Sequence, residues 1–135
     1  MLNSHDYDFY FNGLKTAVLY TVNKIANPTE NDKKAIAYEF QQAAIDVLLA
    51  KTGRALKQYR IKALIIGGGV VANKELRRQF KKQLKKEFPL IELLLPSGKL
   101  STDNATMIAI AAYLHLANKR KPTKGRIKAS GNLSL

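Results

Sequence analysis

Two stretches decide the architecture. The first is IKALII (residues 61–66) followed by Gly67-Gly68-Gly69-Val70-Val71-Ala72-Asn73 and a basic helical segment. The second is LIELLL (residues 90–95) followed by Pro96-Ser97-Gly98-Lys99-Leu100-Ser101-Thr102-Asp103-Asn104 and an apolar helical segment. Both strands are short apolar runs without polar alternation, which predicts strands buried on both faces of a parallel sheet. A strand–helix–strand crossover makes them parallel neighbours. Both loops then leave the sheet at its carboxyl edge, where open α/β sheets bind ligands. Asn73 and Asp103 are thereby expected to be neighbours in one site.

Working outward, the helix expected from Asn73 to Lys86 has two faces. Leu76, Phe80, Leu84 and Phe88 recur every four residues and should meet the sheet. Lys74, Arg77, Arg78, Lys81, Lys82, Lys85 and Lys86 crowd the remaining surface. The last helix, ATMIAIAAYLHLA (residues 105–117), is apolar nearly all round and is expected to be buried on most sides, with His115 as a structural histidine inside it. Towards the amino end, DYDFYFN (residues 6–12) reads as a short strand ending at Gly13, and a helix is expected over 14–25, stopped by Pro28. A long helix should then cover 33–59. Its buried stripe is Ile36, Phe40, Ala43, Ala44, Val47 and Leu48, and Gly53 lowers the expectation of helix in its last two turns.

The 135 residues suit one ordinary domain, organised as a folded unit over 1–118 and a flexible basic tail over 119–135. No apolar run spans a bilayer and residues 1–12 lack a signal-peptide pattern, so no membrane partner and a cytoplasmic location are expected. There is no cysteine, which excludes disulfides and thiolate ligands. Charge is lopsided: residues 1–48 carry four Lys/Arg against six Asp/Glu, whereas residues 49–135 carry nineteen against four. Such a field favours a polyanion, and nucleic acid is the commonest one, although a solvated surface has the same composition.

The residues that could carry chemistry each have two readings. Gly67, Gly68 and Gly69 let the backbone approach a phosphate beside a helix N-terminus, or simply make a tight turn. Neither a Walker loop nor a GxGxxG fingerprint is present. Asn73 is either an amide donor to a ligand or a helix N-cap. Asp103 is either a hard metal ligand at the sheet edge or a first-turn acid favoured by the helix dipole. His5 and His115 form no metal-binding pair, and no nucleophile–base arrangement exists, so no catalytic residue is assigned.

These stretches also resemble a known family. IGGGVVANKELR (residues 66–77) is similar to the GGVxANxxLR motif of the tRNA N6-adenosine threonylcarbamoyltransferases, formerly called O-sialoglycoprotein endopeptidases or glycoproteases. TDNATMIA (102–109) resembles their TDNGAMIA, FYFNGLKTAV (9–18) their FSFSGLKTAV, and Glu39-Phe40-Gln41 with Val47-Leu48 their SFQ helix. Ala105, Thr106 and Asn12 depart from the pattern. The family's HxxxH metal motif and nucleotide-binding glycines lie upstream of FSFSGLKTAV, so the resemblance implies that this chain is the C-terminal lobe of an actin-like fold (sugar kinase/Hsp70/actin, RNase H-like), an ATPase-type α/β architecture.

The resemblance further implies that the intact protein transfers threonylcarbamoyl from its adenylate to N6 of the adenosine beside the anticodon of tRNA. Asn73 would contact that adenylate or an adenine nucleotide, with the Gly67–Gly69 loop against it. Asp103 would be one ligand of a divalent metal (iron, zinc or magnesium), the others lying upstream. Lys81, Lys82, Lys85 and Lys86 would bind tRNA phosphates, and the partners would be a paralogous actin-like protein and a small ATPase. The fragment alone should be inactive. A non-catalytic paralogue acting as a scaffold is the alternative function, and a metallopeptidase, the older family label, the third.

Overall fold

The computed structural model describes residues 4–101 and 105–118. Two helices, α1 (Asn12–Asn23) and α2 (Glu30–Gln58), precede strand β1 (Ala63–Ile65). A single 3-10 turn (Gly69–Ala72) leads into α3 (Lys74–Glu87), then strand β2 (Glu92–Leu94), a second 3-10 turn (Gly98–Leu100) and α4 (Ala105–Ala117). The class is α/β, mostly helical. The strands pair in parallel with Ala63 opposite Glu92, Leu64 opposite Leu93 and Ile65 opposite Leu94. The ladder is prolonged by Glu92 N–H donating to the Lys62 carbonyl and Ile66 N–H to that of Leu94.

The core forms where three amphipathic elements meet. Leu76, Phe80 and Leu84 of α3 are buried with Ile45 and Leu56 of α2 and with Val71. Leu64 and Ile66 pack on them from one strand, Leu93 and Leu95 from the other. The four-residue repeat of α3 is therefore its buried face, as its sequence indicates. Burial of each large apolar side chain stabilises by about 1.5–3 kcal/mol. Helix α2 starts where Thr29 and Asp32 reciprocate: Asp32 N–H donates to Thr29 Oγ1 at 3.2 Å and Thr29 N–H to Asp32 Oδ2 at 2.9 Å. Hydrogen bonds from Thr29 hold the Asp32 carboxyl below its usual range.

Five expectations need correction. Among the described residues the sheet is covered on one face only, because side chains alternate along a strand and α2 and α3 lie together on one side. Ile65 is 73% exposed and Leu94 41% exposed on the other. Helix α4 is exposed at every described position, His115 included, since no described element packs on it. The α2 stripe is shifted towards its carboxyl half. Val47 is buried, but so are Ile45, Lys51, Gly53 and Leu56, whereas Phe40 is exposed because the helix begins outside the core. Gly53 does not interrupt α2, which continues to Gln58. A Cβ there would sit 3.0 Å from Gln83 Nε2, so the glycine lets α3 approach closely.

The fifth correction is the segment before α1, which is not a strand. Its polar groups bond to side chains of α2 instead of a ladder. Lys51, only 1% exposed, donates to Ser4 Oγ (2.9 Å), Asp6 Oδ1 (2.6 Å) and the Asp8 carbonyl (2.5 Å). Arg54 donates to the carbonyls of Ser4 (2.6 Å) and Asp6 (3.0 Å), and Tyr7 lies 5.8 Å from its guanidinium. The Lys51 ammonium lowers the Asp6 carboxyl to a pKa of about 2. A buried ammonium is tolerated because its three protons all find oxygen. Residues 119–135, expected as a basic tail, lie outside the described residues.

Candidate functional site

The glycine loop leaves β1 at the carboxyl edge. Gly68 has φ +82°, a conformation that side-chain-bearing residues rarely adopt. A Cβ at Gly67, Gly68 or Gly69 would meet nothing within 4 Å, so the loop is bordered by open space at all three positions. Gly68 is a glycine for its backbone angle rather than for packing. Val71, 1% exposed, anchors the end of the turn in the core. An apolar cavity of about 550 Å³ lies beside the loop, lined by Phe9, Phe11, Phe40, Leu64, Gly67 and Val70 among others.

Asn73 follows, at the N-cap of α3. Its Oδ1 accepts from Glu75 N–H at 2.9 Å and Leu76 N–H at 3.0 Å, and its Nδ2 donates to Gln41 Oε1 at 2.9 Å. The capping role offered by the sequence is thus real, and it satisfies two of the N–H groups that a helix start leaves open. Glu75 in the same turn has a pKa lowered to about 2, first by its hydrogen bond from Arg78 and then by that from Gln79.

Arg77 was expected on the basic surface. It turns inward instead. Its Nε donates to the Val71 carbonyl at 2.6 Å, and its Nη2 to the Pro96 carbonyl and to Ser101 Oγ, the latter at 3.0 Å. Buried Ser101 donates in turn to the Ser97 carbonyl at 3.0 Å. One guanidinium therefore ties the loop after β1 to the loop after β2. The sequence reading missed this role. No periodic signal marks it, because its partners lie 6, 19 and 24 positions away along the chain. Asp103 lies outside the described residues, two positions beyond Ser101. Among the described residues no group of three His, Cys, Asp or Glu could hold a metal.

The lysines of α3 are where the sequence puts them. Lys81, Lys82, Lys85 and Lys86 are exposed. Arg78 is paired with Glu75 at 2.5 Å, and Lys57 lies 3.9 Å from Glu87, but none of these four lysines joins an ion pair among the described residues. No described helix is long and apolar enough to cross a membrane.

In open α/β proteins ligands sit at the carboxyl edge of the parallel sheet, the edge at which this α/β chain places its glycine turn, its Asn-capped helix and the second loop clasped beside them. The particular family follows from comparison with known proteins: the chain belongs to the tRNA N6-adenosine threonylcarbamoyltransferase family, whose family model matches residues 1–110. Proteins bearing that name are similar along most of it. The one from Geobacillus thermodenitrificans is 45% identical over 121 residues, covering 88% of this chain and 35% of the relative. That of Thermosipho melanesiensis is 47% identical over 113 residues, 84% of this chain and 33% of the relative. That of Thermosipho africanus is 40% identical over 135 residues, 100% of this chain and 40% of the relative. The chain thus spans about a third of the length of these curated relatives.

Proposed function

We propose that this chain is the C-terminal lobe, actin-like in fold, of a cytoplasmic tRNA-modifying transferase. The reaction moves threonylcarbamoyl from its adenylate to N6 of the adenosine beside the anticodon. The observation that carries the reading is the clasped carboxyl edge: the Gly68 turn, the Asn73 cap and the Ser101 loop meet within the span matched by the family model. Backbone at Gly67, Gly68 and Gly69 would lie against the nucleotide, with the α3 N-terminus favouring negative charge. Asn73 would hydrogen-bond the adenylate.

Asp103 would supply one ligand to a divalent metal, which polarises an acyl or phosphoryl oxygen when bound. The described residues do not by themselves supply a ligand set for such an ion. The exposed lysines of α3 would hold tRNA phosphates. With a rise of about 1.5 Å per residue, Lys81 to Lys86 lie roughly 12–20 Å along the helix from Asn73, within reach of an RNA whose target base is at the loop. A paralogous actin-like protein and a small ATPase complete the proposed set of partners.

The test is transfer to tRNA by a protein of the relatives' full length. Asp103→Ala should abolish transfer while leaving the melting temperature nearly unchanged. A variant that loses about 1 kcal/mol of stability and still transfers would mark Asp103 as a helix cap and favour a non-catalytic scaffold. Replacing Lys81, Lys82, Lys85 and Lys86 by Gln should flatten the log–log dependence of tRNA binding on salt and weaken all tRNAs alike. An unchanged slope would remove this face from the reading.

A further inference from the structure

Gln41 and Asn73 lie 32 positions apart and meet across the seam between α2 and α3. Their amide orientations are fixed by chemistry. The backbone N–H groups of Glu75 and Leu76 can only donate, so the Asn73 atom facing both is Oδ1. Nδ2 therefore faces Gln41, and the Gln41 atom it meets must be the acceptor Oε1, at 2.9 Å. The seam is braced next door, where Gln79 donates to Gln42 Oε1 at 2.8 Å and Gln42 to Gln79 Oε1 at 3.2 Å.

Counting donors and acceptors gives the consequence. Both lone pairs of Asn73 Oδ1 are taken by the helix start. Of the two Nδ2 protons, one is taken by Gln41 and the second meets no acceptor among the described residues. Whatever approaches this half-buried amide from outside meets a donor only.

We propose that Gln41 is a positioning residue for the nucleotide site: by accepting one Nδ2 proton it locks Asn73 as a hydrogen-bond donor, so the adenylate atom placed there is a hydrogen-bond acceptor. This rests on the reading of the carboxyl edge as the nucleotide site and adds a residue to it. Without Gln41 the carboxamide keeps its cap through Oδ1 but loses the partner that fixes the plane of Nδ2. The acceptor in the ligand then competes with water for a donor that is no longer held in place.

The experiment uses a protein of the relatives' full length labelled with nitrogen-15, the side-chain amide resonances of Asn73, and AMP as the probe. In the unsubstituted protein AMP should shift the Asn73 Nδ2 resonances. Gln41→Leu should weaken AMP binding by about threefold or more, the range for loss of one supporting hydrogen bond, and change the separation of the two Nδ2 proton shifts. Gln41→Glu, which still accepts, should restore that separation. Asn73→Asp keeps the cap, since Asp caps as well as Asn, but replaces the donor by an acceptor, and should lose AMP by about tenfold or more. Unchanged AMP affinity in Gln41→Leu, or AMP affinity in Asn73→Asp equal to that of the unsubstituted protein, overturns the proposal. An unsubstituted protein whose Asn73 resonances ignore AMP overturns the nucleotide reading itself, and this inference with it. A merely structural Gln41 would lower the melting temperature and leave AMP affinity intact.

Discussion

Helices α3 and α4 are of similar length and carry opposite lessons. α3 is strongly basic, yet its three leucine and phenylalanine anchors are buried to within a few per cent. α4 is almost wholly apolar, yet none of its described residues is buried, and Ile108 is 72% exposed. Burial thus follows partners, not apolar content: α3 has one stripe and a sheet to receive it, while α4 has apolar surface on every side and no described element against it. The outer face of the sheet, with Ile65 and Leu94, shares that condition. Contiguous exposed apolar surface of this kind is unusual on a monomeric domain.

The contrast can be broken most directly by truncation. Phe80→Ala should destabilise the chain by about 3–5 kcal/mol, as expected of a buried phenylalanine losing both transfer energy and packing. Ile108→Ala should change it by no more than about 0.5 kcal/mol. Urea denaturation of the two variants measures both, and equal losses would show that α4 is buried in solution.

The glycine loop sharpens the comparison at the level of backbone. Gly68→Ala places a side chain at φ +82°, and should cost about 1–3 kcal/mol. Gly67→Ala, with a negative φ and open space around it, should cost a few tenths at most. Equal melting temperatures for the two would mean that the turn relaxes.

The smallest effect concerns the segment before α1 and is read from its pH dependence. Asp6 has a folded pKa of about 2 against an ordinary value of 3.8, lowered chiefly by Lys51. A depressed carboxylate contributes stability that is fully present above its unfolded pKa and is lost as pH falls through the folded one. Tyr7, stacked on Arg54 and 6.1 Å from Tyr59, should therefore report release of the segment between about pH 4 and pH 2. Lys51→Met should remove that transition, and a transition that survives the substitution would assign it to another group.

Legibility in the sequence tracked the range of the interactions. The two strands, the parallel pairing, the inward stripe of α3 and the cap at Asn73 were readable because each follows from local period or from a chain connection of known handedness. The same local signals misplaced Arg77 and the segment of residues 6–12, and they passed over Lys51. A guanidinium reaching Val71, Pro96 and Ser101, and an ammonium reaching back to Ser4 and Asp6, satisfy partners that lie far away along the chain. No periodicity encodes such pairs.

By itself the sequence determined the α/β class, the order of the elements that build the carboxyl edge, the basic face of α3 and the family. Hydrophobic period, glycine and proline punctuation and a contiguous motif are properties of the chain read one turn at a time. Only the tertiary structure decided that Gln41 meets the Asn73 amide, that Arg77 joins the two loops, that Lys51 is buried, and that no described element covers one sheet face or α4. Each of those outcomes depends on which surfaces the packed elements bring together, because desolvated polar groups must find partners wherever packing puts them.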